Sequence, residues 1–321
     1  MKKPLIILTG PTAVGKTELS IALAKEVNGE IISADSMQVY RGMDIGSAKI
    51  KPSEMEGIPH YLIDEFDPDE EFHVVRFQEY AKKYMQQIWK KGKIPILTGG
   101  TGFYVQAVVY DIDFTETSEI NAYRQELEEL AATKGSAFLH EQLQIADPKS
   151  ALEIHPNNVK RVIRALEFFH DTGQQISLHN EQERQKESPY QFAYFVLNDV
   201  RSNLYERINL RIDRMLEEGL LDEVAQLKEK GYTKDMVSMQ GLGYKEILDY
   251  LEGNCPLEEA VYILKRDTRH FAKRQITWFK REKDVIWMDK DHFAYNNTEI
   301  LQAMLSILKE KNIYAVRGNY E

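Results

Sequence analysis

Residues Gly10-Pro11-Thr12-Ala13-Val14-Gly15-Lys16-Thr17 match the pattern G-x-x-x-x-G-K-[ST] without a mismatch. They lie between an apolar run, Leu5–Leu8, and the stretch Glu18–Val27, in which Leu19, Ala22, Leu23 and Val27 share one side. A glycine-rich turn that joins a strand to a helix constrains the chain strongly. Its backbone N–H groups wrap phosphate oxygens, the helix N-terminus adds the positive end of its dipole, Lys16 neutralises charge, and Thr17 offers a hydroxyl to Mg²⁺. All eight residues are therefore candidate ligands of a di- or triphosphate, with Mg²⁺ as the expected cofactor.

The remaining pattern suits that loop. Ile31–Ser33 reads as a second strand ending near Asp35, His60–Asp64 as a third, Val74–Lys90 as a helix, and Ile94–Thr98 as a buried strand that ends in Gly99-Gly100-Thr101-Gly102. Short apolar runs alternating with helices predict a parallel sheet covered on both faces. From about Ser118 to His170 only helical periods occur, with Ser118 as an N-cap and Ile120, Tyr123, Leu127 and Leu130 on one face. Asp147-Pro148 and His155-Pro156 break this stretch into short helices, and Gln174–Ser188 reads as a polar loop. Phe192–Leu197 is again a strand, followed by helices and a last strand at Val285–Met288. The expected fold class is α/β, a P-loop NTPase-like parallel sheet core with a helical insertion domain. The expected boundaries are 1–112 for the first part of the core, 113–188 for the insertion, and 189–321 for the second part with basic C-terminal helices.

Cys255 is the single cysteine, which excludes an internal disulfide and a cysteine-rich zinc site and fits a reducing, cytoplasmic setting. His60, His73 and His270 lack metal-ligand spacing, so no zinc is expected. Leu5–Leu8 is far too short for a signal peptide or membrane span, and no other stretch approaches the length needed, so a soluble protein without a membrane partner is expected. The net charge is −10, from 41 Lys and Arg against 51 Asp and Glu. That balance ordinarily argues against nucleic acid, yet binding depends on local fields. Lys265–Lys283 holds eight basic residues against Asp267 and Glu282, a segment of +6. Phe271, Trp278 and Phe279 interleave it and read mainly as core.

An ATPase usually carries an Asp at the end of an apolar strand to hold Mg²⁺. Ile94–Thr98 ends in glycines instead, leaving Asp35 and Asp64 for such a role. A loop that only grips a leaving diphosphate would look like this.

Six segments jointly resemble the tRNA dimethylallyltransferase family: Gly10–Thr17, Ser33-Ala34-Asp35-Ser36-Met37-Gln38-Val39-Tyr40, Pro59–Asp64, Thr98–Tyr104, His155–Glu167 and Gln240-Gly241-Leu242-Gly243-Tyr244-Lys245-Glu246. They occur in family order over nearly the whole chain, departing at Lys160, where Gln is more frequent, and Phe103, where Leu is common. The resemblance implies transfer of a dimethylallyl group from dimethylallyl diphosphate to the exocyclic amine of the adenine 3′-adjacent to the anticodon. tRNA and that diphosphate are the implied partners. The protein is expected to act as a monomer.

The residues agree with that chemistry. An adenine amine is a poor nucleophile, and a carboxylate bonded to it orients it and accepts its proton; Asp35 is the candidate. The leaving diphosphate needs pre-placed cations. Lys16 and Thr17 supply part of this, and Arg207, Arg211 and Arg214 share one helix face, with Arg211 the best match to the family's diphosphate-contacting arginine. A base must leave its stack before reaction, and Asp35, Ser36, Met37 and Gln38 offer edge donors and acceptors, with Gln38 able to read adenine bidentately. Thr101 is a further expected contact. In the insertion, Val159, Val162, Ile163, Leu166 and Phe169 form a core stripe, while Lys160, Arg161 and Arg164 occupy the other face. The family pattern assigns the 160–164 segment, Val162 and Ile163 included, to tRNA, with Arg124 as an additional candidate. Tyr40, Tyr61 and Tyr104 read as packing residues. Three alternatives compete: a nucleotide-kinase-like phosphotransferase, a non-enzymatic nucleotide-sensing RNA-binding module, and prenylation of free adenine nucleotides. The insertion and the basic segment favour a macromolecular acceptor over the last.

Overall fold

The computed structural model describes residues 2–114 and 122–314. Ser118 and Ile120, expected to open the first insertion helix, lie outside the described residues. The chain forms two compact units, Met1–Val109 with Pro189–Glu321, and Tyr110–Ser188.

The first unit is built on strands β1 (Lys3–Thr9), β2 (Gly29–Ser33), β3 (His60–Tyr61), β4 (Ile94–Gly99), β5 (Tyr190–Asn198) and β6 (Val285–Asp289). They pair in the order β3-β2-β4-β1-β5-β6, and every pairing is parallel. Leu5–Leu8 and Ala193–Leu197 are buried, as central strands covered on both faces require. Helices α1 (Lys16–Val27), α2 (Val74–Lys90) and α3 (Gly102–Val109) belong to the first half of this unit. β1 and β4 lie side by side, so the glycine-rich turns that follow them meet at the C-terminal edge of the sheet. That edge is where open parallel sheets bind ligands.

The third strand is shorter than the pattern suggests. It stops at Tyr61 because Leu62 and Asp64 take left-handed backbone conformations, with φ of 61° and 54°. Asp64 then faces the Nζ of Lys49 at 2.5 Å. Its carboxylate is thereby engaged in an ion pair with the buried Lys49 ammonium, although Asp64 itself stays half exposed, and it does not line the cavity described below.

The second unit contains α4 (Ala122–Lys134), α5 (Ser136–Ala146), α6 (Pro148–Glu153), α7 (Val159–Thr172) and α8 (Ile176–Gln185). Leu127, Leu139, Leu143, Ile154, Val162, Ile163 and Leu166 form its core. Asp147 caps α6, with Pro148 opening that helix, and also accepts from Ser177 N and Oγ at 2.9 and 2.7 Å. That link, with Ile176 packed on the core, makes a helix of a stretch too polar to show one in its sequence. Phe169 is exposed and its neighbour Phe168 is buried, a one-residue rotation of the expected stripe.

After β5 come α9 (Arg201–Glu217), α10 (Leu220–Glu229), α11 (Tyr244–Leu251) and α12 (Leu257–Phe279), and α13 (Asn297–Glu310) follows β6. Ile208 and Ile212 bury one side of α9, which turns Arg207, Arg211 and Arg214 elsewhere. Among the described residues, no helix is long and apolar enough to cross a membrane.

Candidate active site

A cavity of about 530 Å³ opens at the sheet edge. The loop after β1, the turn after β2, the turn after β4, and the helices α9 and α12 all contribute to its walls. Gly10 adopts φ 147°, and a Cβ there would stand 2.3 Å from the Leu197 carbonyl oxygen, so only glycine lets the loop leave the sheet at this point.

Lys16 lies along the loop, its ammonium donating to the carbonyls of Gly10 and Pro11 at 3.0 and 2.8 Å. Desolvation, reinforced by the positive charge of Arg211 and opposed by Asp35, pulls its pKa down to about 7. Arg211 donates to Thr12 Oγ1 at 3.4 Å. Burial depresses its pKa as well, with Asp35 opposing. Two cations that disfavour each other are thus held on the wall of one cavity with a carboxylate nearby. Thr17, Arg207 and Arg214 also line it.

Asp35 follows β2. Its Oδ1 accepts from the backbone N–H of Met37 at 2.9 Å and of Gln38 at 3.4 Å, a turn that fixes the carboxylate. Gln38 is held differently from the sequence expectation. Its Nε2 donates to the carbonyls of Ser47 and Ala48 at 3.3 and 3.2 Å, and Ser33 Oγ donates to its Oε1 at 3.3 Å. Two carbonyls converging on one end of an amide identify that end as nitrogen. With both amide hydrogens engaged, Gln38 offers the cavity an acceptor only, so it is not poised to read a base bidentately.

The other candidates divide. Ser36 and Met37 are half-buried beside Asp35. Thr101 donates its backbone N–H to the Ala34 carbonyl at 3.2 Å, tying the turn after β4 to the Asp35 segment, but does not itself line the cavity. In the helical unit, Lys160 and Arg161 are exposed and Arg164 is half-buried. Arg124 donates to Glu128 and to the buried Glu167 at 3.2 and 3.3 Å, which engages its guanidinium within that unit. Val162 and Ile163, expected in the RNA-contacting segment, have their side chains packed inside the unit's core. Lys273 and Arg274 on α12, with Arg281 just beyond its end, line a second, shallower cavity with His270, Thr277 and Trp278. Trp278 meets Phe103 edge-on, Phe279 is core, and Phe271 lines the first cavity.

Sequence reading missed Gln275. Its Oε1 accepts from Thr12 N and its Nε2 donates to the Gly100 carbonyl, both at 2.9 Å, so this one amide joins the two glycine-rich turns. It stands amid the basic residues of α12, where charge drew attention away from a neutral side chain.

A parallel-sheet protein with a phosphate-type loop, two buried cations (Lys16 and Arg211) bonded to carbonyls and a hydroxyl, and an oriented carboxylate in one cavity is of the class that handles phosphorylated substrates at a sheet edge. The family model for IPP transferase matches residues 38–282, and the chain belongs to that family. It is 64% identical to a tRNA dimethylallyltransferase of Lachnoclostridium phytofermentans over 97% of this chain and 99% of that protein. The solved tRNA isopentenylpyrophosphate transferase of Bacillus halodurans is 47% identical, with a TM-score of 0.73 over 97% of this chain and 98% of that one. A eukaryotic dimethylallyltransferase, described as acting on tRNA, superposes with a TM-score of 0.82 at 29% identity, over 99% of this chain and 81% of that chain.

Proposed function

We propose that the protein transfers the dimethylallyl group of dimethylallyl diphosphate to the exocyclic N6 of the adenosine 3′-adjacent to the anticodon in tRNA. The observation that carries this reading is the presence of Asp35, Lys16 and Arg211 on one cavity. The N6 lone pair attacks the allylic C1, the C1–O bond breaks, and its electron pair leaves on diphosphate. Asp35 takes the proton that N6 releases. Lys16, Arg211 and the amides of residues 10–17 stabilise the charge growing on the departing oxygens. Ile31, Ile50 and Ile63 supply apolar wall for the five-carbon chain.

Thr17 offers a hard oxygen at the first turn of α1 on the cavity wall, which suits Mg²⁺ held between one hydroxyl and substrate phosphates. When bound, Mg²⁺ would neutralise diphosphate charge. Lys160, Arg161 and Arg164, with Lys273, Arg274 and Arg281, are the side chains proposed for RNA phosphates. A cytoplasmic, monomeric protein fits this role.

The test is nucleoside mass analysis of unmodified tRNA incubated with the protein, Mg²⁺ and dimethylallyl diphosphate, with ATP substituted in a parallel reaction. Prenylated adenosine is expected only with the diphosphate. ATP consumption without a prenylated nucleoside would favour a phosphotransferase.

A further inference from the structure

Residues 43–49 have no regular secondary structure; Ala48 and Lys49 donate their N–H groups within the loop, to the Ile45 and Asp44 carbonyls at 2.9 Å, while those of 44–46 take acceptors from elsewhere. One carboxylate supplies all three. Glu223 Oε2, on α10, accepts from Asp44 N and Ile45 N at 2.9 and 2.7 Å, and Oε1 accepts from Gly46 N at 3.0 Å. Tyr244 OH donates to the same Oε1 at 2.8 Å. The buried ring of Tyr244 lies so close beneath the loop that a Cβ on Gly46 would come within 2.6 Å of it. Tyr244 is placed by the start of α11, where Glu246 Oε2 accepts from Gly243 N at 2.8 Å. The segment Gln240–Glu246, which the cavity does not use, therefore forms the seat of the 43–49 loop.

The next two residues of that loop, Ser47 and Ala48, carry the carbonyls that take both amide hydrogens of Gln38. Glu223 thus holds the N–H groups at 44–46, and the adjoining carbonyls at 47 and 48 hold an amide on the cavity wall, the two sets being joined through the loop backbone. We propose that Glu223 is a positioning residue for base selection: by gathering the amides of residues 44–46 it sets the carbonyls of 47 and 48, and these hold Gln38 with its oxygen toward the cavity. This role rests on the functional reading above. An acceptor-only Gln38 favours a base edge that donates a hydrogen bond, such as the amine of adenine, over one that presents an oxygen, such as hypoxanthine. Without the carboxylate, four donors lose their acceptor, the loop is released, and the Gln38 amide is free to turn either end toward the base.

The experiment measures binding of two anticodon stem-loop RNAs, with adenosine or inosine at the target position, without the prenyl donor. The proteins are the wild type, Glu223→Gln, Gln38→Ala and the double variant. The wild type is expected to prefer adenosine, and Glu223→Gln to lower that preference about tenfold. Gln38→Ala should lower it similarly, and the double variant no further, since Glu223 acts through Gln38. Inorganic pyrophosphate affinity, governed by the other side of the cavity, should stay within about twofold in Glu223→Gln, which a general loss of folding would not allow. If Glu223→Gln fails to fold, Tyr244→Phe, which removes one of the four donors, should lower the preference in the same direction by a smaller factor. An unchanged preference in the folded variant, additive losses in the double variant, or no preference in the wild type would overturn the role. Prenylation of the adenosine stem-loop by the wild type is followed in parallel. Its absence would overturn the functional reading instead.

Discussion

In the helical unit Tyr110–Ser188, buried charges are met from within. Glu167 is held by Arg124, and burial still pushes its carboxyl above the usual range, with Arg124 and Arg164 opposing. Asp147 accepts four hydrogen bonds from Ser150 and Ser177. The cavity of the sheet unit is arranged in the opposite sense. Among the described residues Lys16 donates only to carbonyls and Arg211 only to a hydroxyl, with Asp35 their nearby counter-charge, while Arg207 at the same wall is paired with Asp199. Desolvated cations without a bonded carboxylate are costly in the free protein. The expense makes sense where an anionic substrate completes the set. One region spends its polar groups on its own stability, and the other holds them ready for a ligand.

This contrast can be broken at several points. The largest effect is expected at Asp35. Asp35→Asn should slow prenyl transfer in single-turnover assays by about 10²- to 10⁴-fold, the usual contribution of a general base, with tRNA affinity mostly kept. A loss of affinity as large as the loss of rate would make Asp35 a binding residue. Next come Lys160, Arg161 and Arg164. Changing all three to Ala should weaken tRNA binding and reduce the slope of log affinity against log salt by about 2, and an unaltered slope would remove them from the interface.

A smaller effect, on stability alone, is expected at Asp147. Burial raises its pKa, but the four hydrogen bonds outweigh this and the net shift is downward. A carboxylate depressed in the folded state contributes stability above the unfolded pKa of about 4 and loses it as pH falls through the folded value. Asp147→Ala should therefore cost about 3 kcal/mol at neutral pH, read by exchange protection of residues 122–185, and progressively less in acid. An equal cost at all pH values would show that the carboxylate's charge is immaterial.

How much of this was legible in the sequence follows from how local each feature is. The loop at 10–17 and the helix over 74–90 are contiguous patterns, and the arginines of α9 follow from helical spacing alone. Gln275 and Glu223 act across 263 and about 178 positions of chain, where no local pattern reports a contact. The third strand was overextended because φ at Leu62 and Asp64 is set by their surroundings. The helix at Ile176–Gln185 was missed because its stabilising partner, Asp147, lies in another segment. The sequence presents Gln38 as able to read adenine bidentately because its carbonyl partners belong to a loop with no pattern of its own.

The role of these cavity cations is tested most directly by calorimetric titration of the wild type and Lys16→Met with inorganic pyrophosphate between pH 6 and 9. Lys16 titrates near pH 7 in the free protein, and only its ammonium form attracts the anion. The ratio of the two affinities, in which pyrophosphate's own ionisation cancels, should be largest near pH 6. It should then fall by up to about tenfold per pH unit above 7. A ratio near one at every pH would contradict the assignment of this cavity to the diphosphate.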